Sequence, residues 1–294
     1  MAIRLQGECP VFDRNDCPAA QSAQDCPREK APKRVRDADA LMGGVARRHM
    51  QTRLDKEHGA MARITTIGFD ADDTLWHNER FFHLTQRYVF DLLAPYSEGD
   101  DLAARLLAAE RRNLGHYGFG IKGFTLSMIE TAIEVSDGRV PASVIADIMA
   151  AGREMLRHPV ELLPGAGDAV EALARSHKIV LITKGDLLDQ ERKLAQSGLG
   201  DMFNAVEIVS DKQVPIYDRI FTAHGTGAAE GLMVGNSMKS DVLPMIGAGG
   251  HGVFVPADLG WALEAADAPE GEARFHEIPD LGALSPLVER IEHS

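Results

Sequence analysis

The stretch Ile67-Gly68-Phe69-Asp70-Ala71-Asp72-Asp73-Thr74-Leu75-Trp76 decides the fold. A short apolar run ends in carboxylates at Asp70 and Asp72. A third carboxylate, Asp73, and the Thr74 hydroxyl follow at once. Ionised carboxylates crowded this closely repel one another, so the cluster needs a cation, a proton or solvent to persist. A hard cation with oxygen ligands, such as Mg²⁺, is the natural guest.

Outward from this stretch the chain alternates between strands and helices. The first strand is expected over 64–69. Apolar residues then recur at helical spacing at Phe81/Phe82, Thr85, Tyr88/Val89 and Leu92/Leu93. Further helices are expected around Leu102–Leu107, Phe124–Ile133 and Val144–Leu156, so residues 81–158 read as an all-helical block inserted after strand one. His158-Pro159 ends it, because a residue before proline disfavours the helical region. Strands are then expected over 178–183, 205–210, 231–235 and 252–255, with a short edge strand at 275–278. Helices fall between them at 166–175, 187–196, from Pro215 onward and at 239–246, and 285–292 closes the chain. Apolar strands joined by helical crossovers imply a parallel α/β sheet covered on both faces, a Rossmann-like core. That core takes residues 61–80 and 159–294.

Composition narrows the function classes. The chain has 294 residues, 45% of them hydrophobic, and a net charge of −13. Residues 1–60 carry 11 Lys/Arg against 9 Asp/Glu, and the remainder carries 20 against 35. An acidic body disfavours nucleic acid as a partner. No apolar run approaches the ~18 residues of a membrane span. Residues 1–60 hold four prolines, mixed charge and no sustained period, and read as a disordered extension. A weak helix is possible at 38–50, and Met61 stands where a compact domain would begin. Cys9, Cys17 and Cys26 all lie in that extension and match no common zinc spacing. The body has no cysteine, and reads as a protein of a reducing compartment, the cytoplasm.

Each polar cluster stands at the carboxyl end of an expected strand, where parallel α/β sheets bind ligands. Asp70, Asp72 and Thr74 follow the first, Thr183-Lys184-Gly185-Asp186 the second, Asp211-Lys212 the third, and Gly235-Asn236-Ser237 with Ser240-Asp241 the fourth. In this order they resemble the four motifs of the haloacid dehalogenase (HAD) superfamily, of which DxDx[TV] is the first. The resemblance covers about 63–260 and implies a phosphatase-type member with a helical C1-type cap. It makes Asp70 the nucleophile of an aspartyl-phosphate mechanism and Asp72 the general acid/base. Thr183 becomes the phosphate-holding hydroxyl, with Lys184 and Gly185 beside it, and Lys212 the charge-balancing lysine. Asp70, Asp72, Asn236 and Asp241 would serve the Mg²⁺. The fourth motif departs from the commoner GDxxxxD: Asn236 offers a neutral oxygen, and Asp241 must bring the negative charge, directly or through water.

The implied activity is Mg²⁺-dependent hydrolysis of a small phosphorylated metabolite. The alternatives are a 2-haloacid dehalogenase, against which Asp72 argues, a sugar phosphomutase, and a non-catalytic binding protein of the same fold. The Gly-rich stretch 115–123 is expected as a loop between two cap helices, with Lys122 placed to read the leaving group. Asp73 is expected to cap a turn, Asp186 to cap the helix after it, Trp76 to pack beneath the cap, and Trp261 to serve packing or oligomer contacts.

Overall fold

The strand that leads into the carboxylate cluster, β1 (Thr66–Phe69), is buried over its whole length. The computed structural model describes residues 63–294 apart from 98 and 100. The expectations for residues 1–60 (disorder, the helix at 38–50, the cysteines) lie outside these residues. Strand β1 sits between β2 (Lys178–Lys184) and β4 (Gly231–Gly235). β3 (Ala205–Val209), β5 (His251–Phe254) and β6 (Phe275–Glu277) complete a six-stranded sheet of order β3-β2-β1-β4-β5-β6. Every pairing is parallel. The four motif-bearing loops therefore leave the sheet at one edge, side by side.

Four helices follow β1: α1 (Glu79–Leu93), α2 (Leu102–Tyr117), α3 (Ile121–Val135) and α4 (Ala142–Met155). Their apolar stripes meet in a cluster of their own, with Val89, Leu93, Leu106, Met128 and Ile148 at its centre. The sheet has two separate clusters, one around Phe69, Ile179 and Leu232 and one around Val180, Tyr217 and Phe221. The helical cap thus has an apolar core independent of the sheet. The two chain passages that join cap and sheet run together: Trp76 bridges Leu162, His77 donates to Glu161 O (3.0 Å), and Leu163 donates to Leu75 O (2.9 Å).

The remaining helices are α5 (Ala166–Ala174), α6 (Leu187–Ser197), α7 (Val214–His224), α8 (Leu243–Gly247) and α9 (Leu284–Glu292). α6 ends at Gly198, whose φ of 73° is the left-handed turn glycine takes without a Cβ clash. Two expectations are corrected. The glycine-rich stretch 115–123 is largely helical: α2 runs through Tyr117 and α3 starts at Ile121, leaving only Gly118-Phe119-Gly120 as the turn. The helix expected at 239–246 is split into a wide π turn, Met238–Val242, followed by α8. Pro244 has no N–H to give to the Ser240 carbonyl, and that oxygen accepts instead from the Tyr217 hydroxyl (2.9 Å).

Candidate active site

Strand β1 delivers Asp70 into the sheet edge, where its N–H donates to Val234 O (2.9 Å) and its side chain is almost fully buried. The Lys212 ammonium, just beyond β3, lies 2.5 Å from Asp70 Oδ1 and 2.7 Å from Asp241 Oδ1. Burial pushes the Asp70 carboxyl up to about 7 against the pull of Lys212, with Asp241 adding to the push. Lys212 stays charged: its own burial is outweighed by the two carboxylates beside it, which raise it above the usual lysine value. Thr74 donates to Asp70 Oδ2 (3.1 Å) and accepts from the Asn236 N–H (3.1 Å), tying the first loop to the fourth.

Asp72 is held by three donors. Trp76 Nε1 (2.7 Å) and Lys193 Nζ (2.9 Å) meet Oδ1, and Gln190 Nε2 meets Oδ2 (2.8 Å). Lys193 also reaches Asn78 Oδ1 (2.8 Å) and Asp189, and the two carboxylates outweigh its burial and raise its pKa. Trp76 is buried in the apolar cluster of the sheet and is also a direct partner of Asp72. Asp73, at φ 58°, caps α1 by accepting from the N–H groups of Asn78 and Glu79 (2.9 Å each). Burial nevertheless pushes Asp73 up to about 6.

Thr183 is buried at the end of β2 and lines the same cavity as Asp70 and Lys212. Lys184 reaches Glu264 Oε1 and Ser240 Oγ (2.7 Å each), and its ammonium lies 3.9 Å from the centre of the Phe119 ring of the cap. Burial alone would raise Glu264, but Lys184 and the hydroxyls of Ser240 and Ser237 hold its pKa below the ordinary value.

Several expectations need revision. Asp241 is fully buried with both oxygens occupied, Oδ1 by Lys212 and Oδ2 by the Ser237 N–H (2.9 Å). Gly235 permits this approach, since a Cβ there would stand 2.2 Å from Asp241 Oδ2. Asp241 is thus a direct partner of Lys212 and of the fourth loop's backbone. Lys122 points out of the cavity to Asp186 Oδ1 (3.3 Å) with more than half its side chain exposed, and neither it nor Gly185 lines the cavity. Asp186 stands at the N-terminus of α6 but makes no side-chain cap there. Trp261 lines the cavity, donates to Glu110 Oε2 (3.2 Å) and stands edge-on to Phe119.

Sequence reasoning missed Gln190, Lys193, Glu264, Glu79 and Glu110. For the first two a signal existed: Asp186 just before α6, with Asp189, Gln190 and Lys193 within it, forms a polar stripe at helical spacing. The others sit in a cap helix or a late loop, with no local pattern to mark them.

Oxygens suited to a hard cation do converge. The Asn236 amide end stands 3.2 Å from Asp70 Oδ2 and 3.3 Å from the Asp72 carbonyl oxygen. With its nitrogen inward this amide donates to both; with its oxygen inward it completes a set of three oxygen ligands. That set fits Mg²⁺ but carries one carboxylate charge. No group of three or more His, Cys, Asp and Glu side chains suited to a metal occurs among the described residues.

A parallel α/β core with an inserted helical cap, and an Asp-x-Asp loop facing a buried lysine, define a HAD-type hydrolase. Residues 64–249 match the haloacid dehalogenase-like hydrolase family, and the chain belongs to it. A haloacid dehalogenase-like family hydrolase from Xanthomonas campestris is 40% identical, with a TM-score of 0.70 over 80% of this chain and 94% of that one. Two more distant structures share the fold alone. The HAD-hydrolase YfnB of Bacillus subtilis, bound to magnesium, is 18% identical with a TM-score of 0.56 over 77% of this chain and 99% of its own. A 2-haloacid dehalogenase from Pseudomonas syringae is 20% identical with a TM-score of 0.53 over 77% and 99%. A comparison with curated proteins finds no match. No helix among the described residues is long and apolar enough to cross a membrane.

Proposed function

We propose that the protein is a Mg²⁺-dependent hydrolase of small phosphomonoesters that works through an aspartyl-phosphate on Asp70. The observation that carries this reading is Asp72. A carboxylate two residues from the nucleophile, on the same cavity and set by three donors, is a built acid/base. Attack of a carboxylate on a haloalkane carbon has no leaving-group oxygen for it to protonate.

In the first step Asp70 attacks phosphorus in line, the bond from phosphorus to the ester oxygen breaks, and that oxygen takes a proton from Asp72. In the second step Asp72 takes a proton from water, whose oxygen attacks the same phosphorus and restores the Asp70 carboxylate. The Asp72 oxygens now serve as acceptors for Trp76, Lys193 and Gln190, so delivering a proton requires Asp72 to turn from these donors toward the ester. Lys212 offsets negative charge at Asp70, and the Thr183 hydroxyl offers a donor to a phosphoryl oxygen. Asp70, the Asp72 carbonyl and Asn236 would hold Mg²⁺, which supplies charge neutralisation for the phosphoryl oxygens and keeps Asp70 ionised. Cap helices line the cavity over the site, where their closure would limit the access of bulk water.

Phosphate release from 4-nitrophenyl phosphate and a panel of sugar and nucleotide monophosphates, with Mg²⁺ and with EDTA, tests the reading. Release that requires Mg²⁺ is expected. Halide release from 2-haloacids, with every phosphate ester left intact, would overturn it.

A further inference from the structure

The cavity above Asp70 measures about 640 Å³, far more than a phosphate needs. The surplus belongs to the alcohol that leaves. Its walls are mostly apolar, with Phe82, Leu106, Phe119 and Phe124 from the cap, Phe254 from the end of β5 and Trp261 from the loop beyond it. Among the described lining residues there are three lysines and no arginine, and each lysine is engaged: Lys212 by Asp70 and Asp241, Lys193 by Asp72 and Asp189, Lys184 by Glu264. The acidic groups on the cap side are not matched in this way. Glu79 and Glu110 both line the cavity. Glu110 accepts from the Trp261 indole, which fixes it in the wall, and Glu79 has its closest basic neighbour in His83 at 3.8 Å. Neither pairs with a lysine or arginine among the described residues.

Resting on the phosphoester reading above, we propose that the alcohol released here is apolar in body, carries a hydrogen-bond donor, best an ammonium, toward Glu110 and Glu79, and bears no second anionic group. A carboxylate or second phosphate would lose its water in an acidic, largely apolar wall with no unengaged lysine or arginine among the described lining residues to meet it, whereas an incoming ammonium favours the ionised form of both carboxyls. An ammonium exchanges its water for Glu110 and Glu79, and the rest of the alcohol meets the aromatic and aliphatic walls.

The test compares three benzyl esters that differ only in the para substituent: 4-(aminomethyl)benzyl, 4-methylbenzyl and 4-carboxybenzyl phosphate. The expected order of kcat/KM is amine, methyl, carboxylate, with at least about tenfold between first and last. In Glu110→Gln and Glu79→Gln the amine-to-carboxylate ratio should shrink several-fold, and in Glu110→Lys it should invert. Equal rates for amine and carboxylate with the unaltered protein, or a ratio unmoved in all three variants, would overturn the proposal. Calorimetry with 4-methylbenzylamine and 4-methylbenzoate provides a reading that needs no turnover. Preferential binding of the amine, lost in Glu110→Gln, supports the proposal even where no ester is hydrolysed, a result that counts against the hydrolase reading alone. Equal binding of the two overturns it.

Discussion

At the floor of the cavity the charged side chains are matched: Lys212 with Asp70 and Asp241, Lys193 with Asp72 and Asp189, Lys184 with Glu264. At the roof the wall is aromatic and aliphatic, and the carboxyls of Glu79 and Glu110 stand without a lysine or arginine partner among the described residues. The floor rests on the sheet and the roof on a cap with its own apolar cluster. Matched charge on a rigid sheet gives a fixed electrostatic field for one kind of chemistry. An apolar roof on a separate core can change its preferences while that field stays as it is. Floor variants should therefore lose kcat, and roof variants should move KM.

The largest break is expected at Asp70. Asp70→Asn should lower kcat by about 10³-fold or more while the protein stays folded, as read by circular dichroism and steady-state rates. Lys212→Met should cost about 3–5 kcal/mol of stability in urea, because it leaves Asp70 and Asp241 buried together without their cation. An unchanged urea midpoint would show that the three groups are not an ion-paired unit. Lys193→Met tests how Asp72 is held. A fall in kcat of about 10–100-fold with KM little changed is expected, with partial recovery in Lys193→Arg. A change confined to KM would place Lys193 in substrate binding.

Roof variants come next. Phe119→Ala removes the ring that Lys184 and Trp261 both touch. KM should rise several-fold with kcat within about threefold, and the reverse pattern would erase the division between roof and floor. The smallest effect is expected at Glu79. Burial first, then the nearby Asp73, Glu110 and Asp72, push its carboxyl up from 4.5 to about 8. The folded state then holds a proton that the unfolded chain has released between these values, so Glu79 costs increasing stability as pH rises through that window. Glu79→Gln should raise the melting temperature by a few degrees at pH 8 and change it little at pH 4.5. Equal effects at both pH values would contradict the shift.

The sheet and the residues gathered on the cavity floor were legible because both depend on short-range pattern. Apolar runs of strand length ending in polar residues marked β1 to β5 within one or two residues, and the side chains at those ends were already on one edge once the sheet was parallel. In the fourth motif the partner of Asp241 is one that the sequence hides. Asp241 could bring charge to a metal from its place in the string, but whether it turns there or to Lys212 depends on a π turn. That turn follows from Pro244 and from Tyr217, a residue on another helix. Lys122 was misplaced because the glycines around it suggested a mobile loop, whereas Gly115 and Gly123 lie inside helices. Glu79 and Glu110 come to the same cavity from two different helices, which spacing within either one does not reveal. Trp261 gains its role from a loop that returns to the cap after the fifth strand, a long-range contact with no local signature.

The most direct test of the account is covalent. A labelled phosphomonoester mixed with the enzyme and Mg²⁺, quenched in acid within one turnover and digested, should leave its phosphoryl group on the peptide that contains Asp70, and none in Asp70→Asn. Phosphate released at the full rate with no label on that peptide would contradict the aspartyl-phosphate.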